Sequence, residues 1–280
     1  MDRVSLLLVQ NIAFTDIVIS LVFYLPTLVT LLGNKWVIGE FGCLIIALFF
    51  NTVPFVNEIL CITLLSVYRV WMLIYQPTAR TSINFSHTVM FAVLMWIIPL
   101  FMQLGYVIGG IYAYFQPNIL NCEGSYFANS GITIYTMVIL CVFLIIPMII
   151  IITTNVNILY IVTKHSRKVG KCFSANNATA ITISSICWGF ILSYCPTLII
   201  YCLVFAGAKI PIWFHIFQNY ARAINIVVNP LIYSITNACF RRYLRCLCTL
   251  GSVEEHEMKN IAHTSTAERK TYCTTNLHGD

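Results

Sequence analysis

Six stretches of this chain are apolar almost throughout, at about 4–33, 42–75, 87–110, 131–163, 177–206 and 211–236, and polar residues gather in the short segments between them. A hydrocarbon core about 30 Å thick is crossed by a helix of about 20 apolar residues, so each stretch is long enough to span it. The pattern predicts an all-α membrane helix bundle over residues 1–250 with six transmembrane helices. After the last span, the basic-aromatic run Phe240-Arg241-Arg242-Tyr243-Leu244-Arg245 predicts a short amphipathic surface helix at about 238–249, its arginines reaching lipid headgroups. Residues 251–280 are polar, with six Ser and Thr between Thr264 and Thr275, and are expected to be a disordered cytoplasmic tail.

Composition sharpens this picture. Hydrophobic residues make up 59% and charged residues 9% of the chain, against the roughly one-quarter charged share of a soluble domain. The net charge of +6 does not imply a nucleic-acid partner, because its distribution has a simpler meaning. Ten of the 16 Lys and Arg (Arg3, Arg69, Arg80, Lys164, Arg167, Lys168, Lys171, Arg241, Arg242 and Arg245) fall on one side of the bundle, whereas Lys35 and Lys209 fall on the other. The positive-inside rule then puts both termini and the 76–86, 164–176 and 237–280 segments in the cytoplasm. Topology and contact with the lipid bilayer suffice to explain these basic runs. The sequons at Asn84 and Asn177 share that side and are not expected to carry glycans.

Of the 12 cysteines, Cys43 and Cys122 are the two assigned to the outer side, where disulfides form. A bridge between them would pin the longest outer loop over the bundle. Cys246 and Cys248, just after the basic-aromatic run, are palmitoylation candidates. The six histidines are scattered, and no metal-ligand spacing is present.

Ionisable side chains inside the spans each need a reason, since an unpaired charge at mid-bilayer costs roughly 3 kcal/mol or more. Asp16, Glu58 and Arg222 occupy the middle of the bundle, with His215 nearer the outer end. At about 1.5 Å per residue, Asp16 lies roughly 25 Å below Gly33, Glu58 roughly 22 Å below Cys43 and Arg222 roughly 17 Å below Pro211, so the three are expected to share a layer. An Arg222–Glu58 ion pair that only bridges helices and a role in ligand or ion response stand as two open readings.

Several motifs occur in a fixed order. Asn11-Ile12-Ala13-Phe14-Thr15-Asp16 is followed by Trp36-Val37-Ile38-Gly39 with Cys43, then by Ser66-Val67-Tyr68-Arg69 and Pro77. Next come Trp96, Pro147 with Asn155 eight residues on, and Phe190 with Ser193-Tyr194-Cys195-Pro196. The series ends in Asn229-Pro230-Leu231-Ile232-Tyr233. A proline inside a membrane helix deprives a carbonyl one turn earlier of its donor, and Asn229 and Tyr233 are polar partners for such a bend.

This ordered set resembles the rhodopsin-like (class A) G-protein-coupled receptors. Against their pattern the six spans correspond to the second through seventh helices, and the chain is expected to lack the first and to be N-terminally incomplete. Departures are specific. Tyr68 replaces the acidic residue before Arg69, Val70 the tyrosine after it, Asn155 a tyrosine, and Tyr194 a tryptophan. The intervals Cys43–Arg69 and Arg69–Pro77 are each one residue longer than usual, which predicts a bulge or a shifted register. Tyr194 keeps a large aromatic at the proline bend, but its hydroxyl requires a partner that tryptophan would not.

The resemblance implies a Cys43–Cys122 disulfide and a sodium-like site formed by Asp16, Asn225 and Asn229, to which Glu58 adds an unusual second carboxylate. Oxygen ligands suit such a hard cation. It also implies an activation relay of Arg69, Ile59, Pro147, Phe190, Tyr194, Pro196, Pro230 and Tyr233. The ligand pocket would include Phe50, Asn51, Tyr194, His215 and Arg222. Biogenic-amine receptors carry an aspartate where this chain has Phe50, so a peptide or small non-amine ligand is expected, with a heterotrimeric G protein as inner partner. Tyr112, Tyr114, Tyr126, Trp213, His215 and Tyr220 would give the outer half an aromatic lining or form an interfacial belt. The expected protein is a multi-pass plasma-membrane receptor, not an enzyme, with no cofactor beyond a possible sodium ion. The rival reading is an ion-coupled transporter or channel using Asp16, Glu58 and Arg222, which inverted repeats would favour; none is visible.

Overall fold

The computed structural model describes residues 3–33, 36, 38–75, 85–117, 121–126, 129–169 and 175–236. The surface helix at 238–249, Cys246, Cys248, Pro77 and the tail lie outside them. The first span comprises α1 (Arg3–Ile19), a π-helical turn Ser20–Tyr24 and α2 (Leu25–Gly33). The second comprises α3 (Gly39–Ile45), a π turn Ile46–Phe50 and α4 (Asn51–Ile74). The third is α5 (Phe85–Ile108), and the fourth is α6 (Ser130–Leu140), a π turn Cys141–Ile145 and α7 (Ile146–Val169). The fifth and sixth are α8 (Ala175–Phe205) and α9 (Ile212–Thr236).

The three π turns have a common cause. A helical proline has no N–H to give and drives its ring against the carbonyl four residues earlier. For Pro26, Pro54 and Pro147 those carbonyls belong to Val22, Phe50 and Phe143, and each lies inside a π turn. The wider i→i+5 turn relieves the clash. In the second span this turn, closed by Asn51 N–H on Ile46 O, is also the bulge expected between Cys43 and Arg69. It absorbs the extra residue, so Asn51, Phe55 and Glu58, at i, i+4 and i+7, share one inward face.

Five spans are long and apolar enough to cross a membrane. The 25-residue α9 is as long but less apolar, and it is strongly two-faced. Trp213, Phe217, Tyr220, Ile224, Val227, Leu231 and Ile235 form an exposed stripe at three- and four-residue steps. Gln218, Arg222, Asn225 and Asn229 follow the same steps on another face. The polar stripe turns inward.

The second span is the central column. Its Ile59, Ile62 and Leu65 pack with Leu8 and Ile12 of the first span, Leu144, Met148 and Ile151 of the fourth, and Ile183, Cys187 and Phe190 of the fifth. The outer loop holds an element that the apolar pattern did not reveal, an antiparallel hairpin of β1 (Ala113–Gln116) and β2 (Asn121–Gly124), with Phe115 opposite Cys122.

Candidate functional site

The inward stripe of α9 places two asparagines one turn apart, and each meets a carboxylate from another span. Asn229 Nδ2 donates to Asp16 Oδ2 at 3.1 Å, and Asn225 Nδ2 donates to Glu58 Oε1 at 2.5 Å. The second oxygen of Glu58 accepts from the Tyr194 hydroxyl at 3.0 Å. Asp16, Glu58, Asn225, Asn229 and Tyr194 thus converge from the first, second, fifth and sixth spans into one buried assembly. The partner that the Tyr194 hydroxyl requires is Glu58, so two departures from the receptor pattern satisfy each other.

The carboxylates differ in how fully they are used. Both oxygens of Glu58 accept hydrogen bonds from protein donors. Asp16 Oδ1, Asn225 Oδ1 and Asn229 Oδ1 are buried and, among the described residues, have no hydrogen-bond partner. Buried acceptors are ordinarily satisfied, and oxygens without donors are the kind of ligand that a hard cation takes.

Tyr194 is held by rings as well as by its hydroxyl. Phe55 stacks on it at 4.8 Å and Phe190 tilts against it at 4.4 Å. Ile59 and Phe190 are fully buried in the core cluster that contains Tyr194. Pro147 and Pro196 are buried, and Pro230 faces outward inside α9. Tyr233 lies in the last turn of α9, and its side chain falls outside the described set. Arg69 is buried near the inner end of the second span, its guanidinium 5.9 Å from the Tyr68 ring centre.

Arg222 does not join this assembly, which corrects the expectation of one shared layer. Its Nη1 donates to Asn51 Oδ1 at 3.2 Å and its Nη2 to Asn219 Oδ1 at 3.1 Å, with the Phe23 ring centre 5.6 Å from the guanidinium carbon. Asn51 lies two turns outward of Glu58, so the long side chain reaches away from the bundle middle. Among the described residues it bonds no carboxylate, and the Arg222–Glu58 ion pair is not formed.

Two clefts meet at Arg222. The larger lies between Asn51, Thr52, Phe55, Tyr106, Thr197 and Tyr201 among others. The smaller lies between Phe23, Tyr24, Tyr194 and Ile226. Asn51, Phe55 and Arg222 line both and form the partition between them. Of the residues expected in the pocket, Asn51, Tyr194 and Arg222 are therefore brought together, while Phe50 and His215 line neither cleft. Among the outer aromatics only Tyr126 reaches a cleft wall; Tyr112, Tyr114, Trp213 and Tyr220 are exposed, as a belt would be.

A further polar network escaped the sequence reading. Trp96 Nε1 donates to Asn11 Oδ1 at 2.9 Å, and Asn11 Nδ2 donates to Asn57 Oδ1 at 3.2 Å and to Cys61 Sγ at 2.7 Å. Asn57 Nδ2 donates to Thr15 Oγ1 at 2.6 Å. Asn11 and Thr15, one turn apart in the first motif, marked a face needing polar partners. Nothing in the pattern singled out Asn57 as that partner.

The outer rim is closed by the Cys43–Cys122 disulfide, with Cα atoms 5.3 Å apart. Trp36 stacks on Phe115 of the hairpin at 4.9 Å and donates to Gly39 O at 2.9 Å. The Tyr126 hydroxyl donates to Ala47 O, inside the π turn of the second span, at 3.1 Å. The loop is thereby tied twice to the span that carries Asn51 and Glu58.

Comparison with known proteins agrees with this geometry. The chain is similar to the rat melatonin receptor type 1B, 24% identical over 260 residues covering 88% of this chain and 69% of that protein. It is similar at 24% identity to the melatonin receptor type 1A of Phodopus sungorus, over 86% of this chain and 70% of that protein. Its fold matches squid rhodopsin with a TM-score of 0.74 at 17% identity, over 87% of this chain and 71% of that one. These relatives are non-enzymatic, multi-pass plasma-membrane receptors, and the transporter or channel alternative gains nothing from them. The family model for the 7 transmembrane receptor (rhodopsin family) matches residues 1–233, and the chain belongs to that family.

Proposed function

We propose that the chain binds a small non-amine ligand in the clefts around Arg222 and transmits its presence through Tyr194 to a heterotrimeric G protein at the cytoplasmic end. The observation that carries this reading is the shared partition. Asn51, Phe55 and Arg222 face the larger cleft on one side and Tyr194 on the other. A ligand moves such an equilibrium only by binding one arrangement better than the other. One that repositions Phe55 or Arg222 acts directly on the ring stacked against Phe55.

Of the two ligand classes expected, a small molecule suits a cleft walled by aromatic and aliphatic side chains with a few hydroxyls. Similarity to melatonin receptors supports the same choice. None of the described residues lining the clefts is acidic, so an ammonium group would find no partner there. Asp16, Asn225 and Asn229 would hold a sodium ion through the oxygens left without donors. Glu58, committed to Tyr194 and Asn225, would stand beside that site rather than in it.

Arg69 would meet the G protein, and Tyr68 cannot supply the acid that pairs with such an arginine in the resting state. The chain reconstituted in lipid nanodiscs with a heterotrimeric G protein should therefore catalyse nucleotide exchange without ligand. Arg69→Ala should abolish the exchange and Tyr68→Asp should lower it severalfold. Basal exchange absent from the wild type, or unchanged in both variants, would refute the coupling.

A further inference from the structure

We propose that the ligand carries an anionic group, most simply a carboxylate, and that Arg222 is its anchor. This rests on the receptor reading for the cleft's purpose but not for its charge. A guanidinium offers five N–H donors. Hydrogen bonds to Asn51 and Asn219 use two, and Nε is buried with no partner among the described residues. Both hydrogen-bond partners are neutral amide oxygens, and the guanidinium touches no carboxylate among the described residues; Glu58 attracts it only across the Tyr194 side chain. The nearest stacking group, Phe23, adds only the face of a ring.

No acid reaches the guanidinium from the cleft walls. The two carboxylates of the bundle middle, Asp16 and Glu58, line neither cleft. Glu58 lies beyond Tyr194, already accepting from it and from Asn225. The clefts thus contain one cation and no acid among their described walls. A charge at this depth with no carboxylate in contact is costly and marks a site of function, and low-dielectric walls focus its field on a ligand of opposite sign. The remaining donors of a guanidinium fit a carboxylate better than any neutral group.

The rest of the larger cleft describes the body of the ligand. Phe55, Val56, Ile139, Leu140 and Leu144 give apolar contact. Thr52, Thr136 and Thr197 add hydroxyls. A compact aromatic or branched body with one acidic end fits these walls.

Charge preference tests the proposal without knowledge of the natural ligand. The full chain in nanodiscs is titrated, at fixed chloride, with 3-phenylpropionate, its primary amide and 3-phenylpropylamine, and binding is read as a shift in thermal unfolding. The anion should bind about tenfold or more tightly than the amide, as expected for hydrogen bonds to a charged partner, and the amine should not bind. Arg222→Gln should reduce the anion to the level of the amide, and Arg222→Lys should keep part of the preference. Should Arg222→Gln not fold, the isosteric Asn219→Asp places a carboxylate on the guanidinium internally and should abolish the preference alone.

Equal binding of anion and amide, survival of the preference in Arg222→Gln or Asn219→Asp, or no binding of 3-phenylpropionate to the wild type would each overturn the assignment. Oleate dissolved in the disc serves as a competitor; displacement identifies the bilayer as the source of the carboxylate, and its absence identifies water. The G protein is not part of this measurement. Charge-selective binding without nucleotide exchange would sink the coupling and leave the anion site, and exchange without charge selectivity would do the reverse.

Discussion

The two arms of the buried polar assembly are built alike and finished differently. Each consists of a carboxylate receiving the amide of an α9 asparagine, Asn229 on Asp16 and Asn225 on Glu58. The Glu58 arm gains a third member, Tyr194, and both carboxylate oxygens are occupied. In the Asp16 arm one carboxylate oxygen and Asn229 Oδ1 have no donor among the described residues, whereas in the Glu58 arm only Asn225 Oδ1 is in that condition. A carboxyl bonded through both oxygens ties the second, fifth and sixth spans together. One bonded through a single oxygen joins only the first and sixth. Similar chemistry therefore forms a clamp on one side, and on the other it leaves the receptacle that the proposed sodium ion would fill.

Breaking the clamp should have the largest effect. Glu58→Leu strands the Tyr194 hydroxyl and the Asn225 amide without acceptors, and at about 2 kcal/mol for each buried donor should cost about 4 kcal/mol. Thermal unfolding in nanodiscs would show it, and a loss under ~1 kcal/mol would mean that the clamp is not fixed by these bonds. Tyr194→Phe removes one bond to a charged acceptor and should cost about 2 kcal/mol. Combined with Glu58→Leu it removes one of the two stranded donors, so the double variant should lose about 2 kcal/mol, less than Glu58→Leu alone, and the double-mutant cycle should return about 4 kcal/mol of coupling; additive losses would show that the pair acts separately.

The receptacle should behave in the opposite way. Asp16→Asn keeps an acceptor for Asn229 and should change stability by less than ~1 kcal/mol without sodium. It should erase the extra stability that sodium, compared with choline, gives the wild type. Glu58→Gln, by contrast, should leave that sodium response in place. Equal sodium responses in wild type and Asp16→Asn would remove the distinction between the arms.

The sequence disclosed this arrangement unevenly. Asp16, Asn225 and Asn229 were legible because ordered motifs carried them, and the need of the Tyr194 hydroxyl for a partner followed from its chemistry. The one-residue surplus between Cys43 and Arg69 pointed to a bulge or a shifted register but not to its place, and the π turn at Ile46–Phe50 is such a bulge. Arg222 was misplaced because counting residues gives the height of a Cα, whereas a long side chain reaches well above or below it. Asn57 stayed hidden for another reason. A column buried on most sides has no lipid-facing stripe from which to phase its inner face, so an asparagine among apolar neighbours carries no direction. The amphipathic α9 shows the contrast, since its exposed stripe fixes where Arg222, Asn225 and Asn229 point. The hairpin was illegible because its strands are four residues each, too short for alternation to register.

The bond from the Tyr126 hydroxyl to Ala47 O turns the outer loop into a tether on a soft spot. A π turn holds its carbonyls more loosely than the helix on either side, so a pull there is met with less resistance than elsewhere in the second span. Lifting the loop would tug at this turn first, and the cleft residues Asn51, Thr52 and Phe55 follow directly after it in the same span. The outer rim and the partition at Arg222 are thus joined by one short length of backbone.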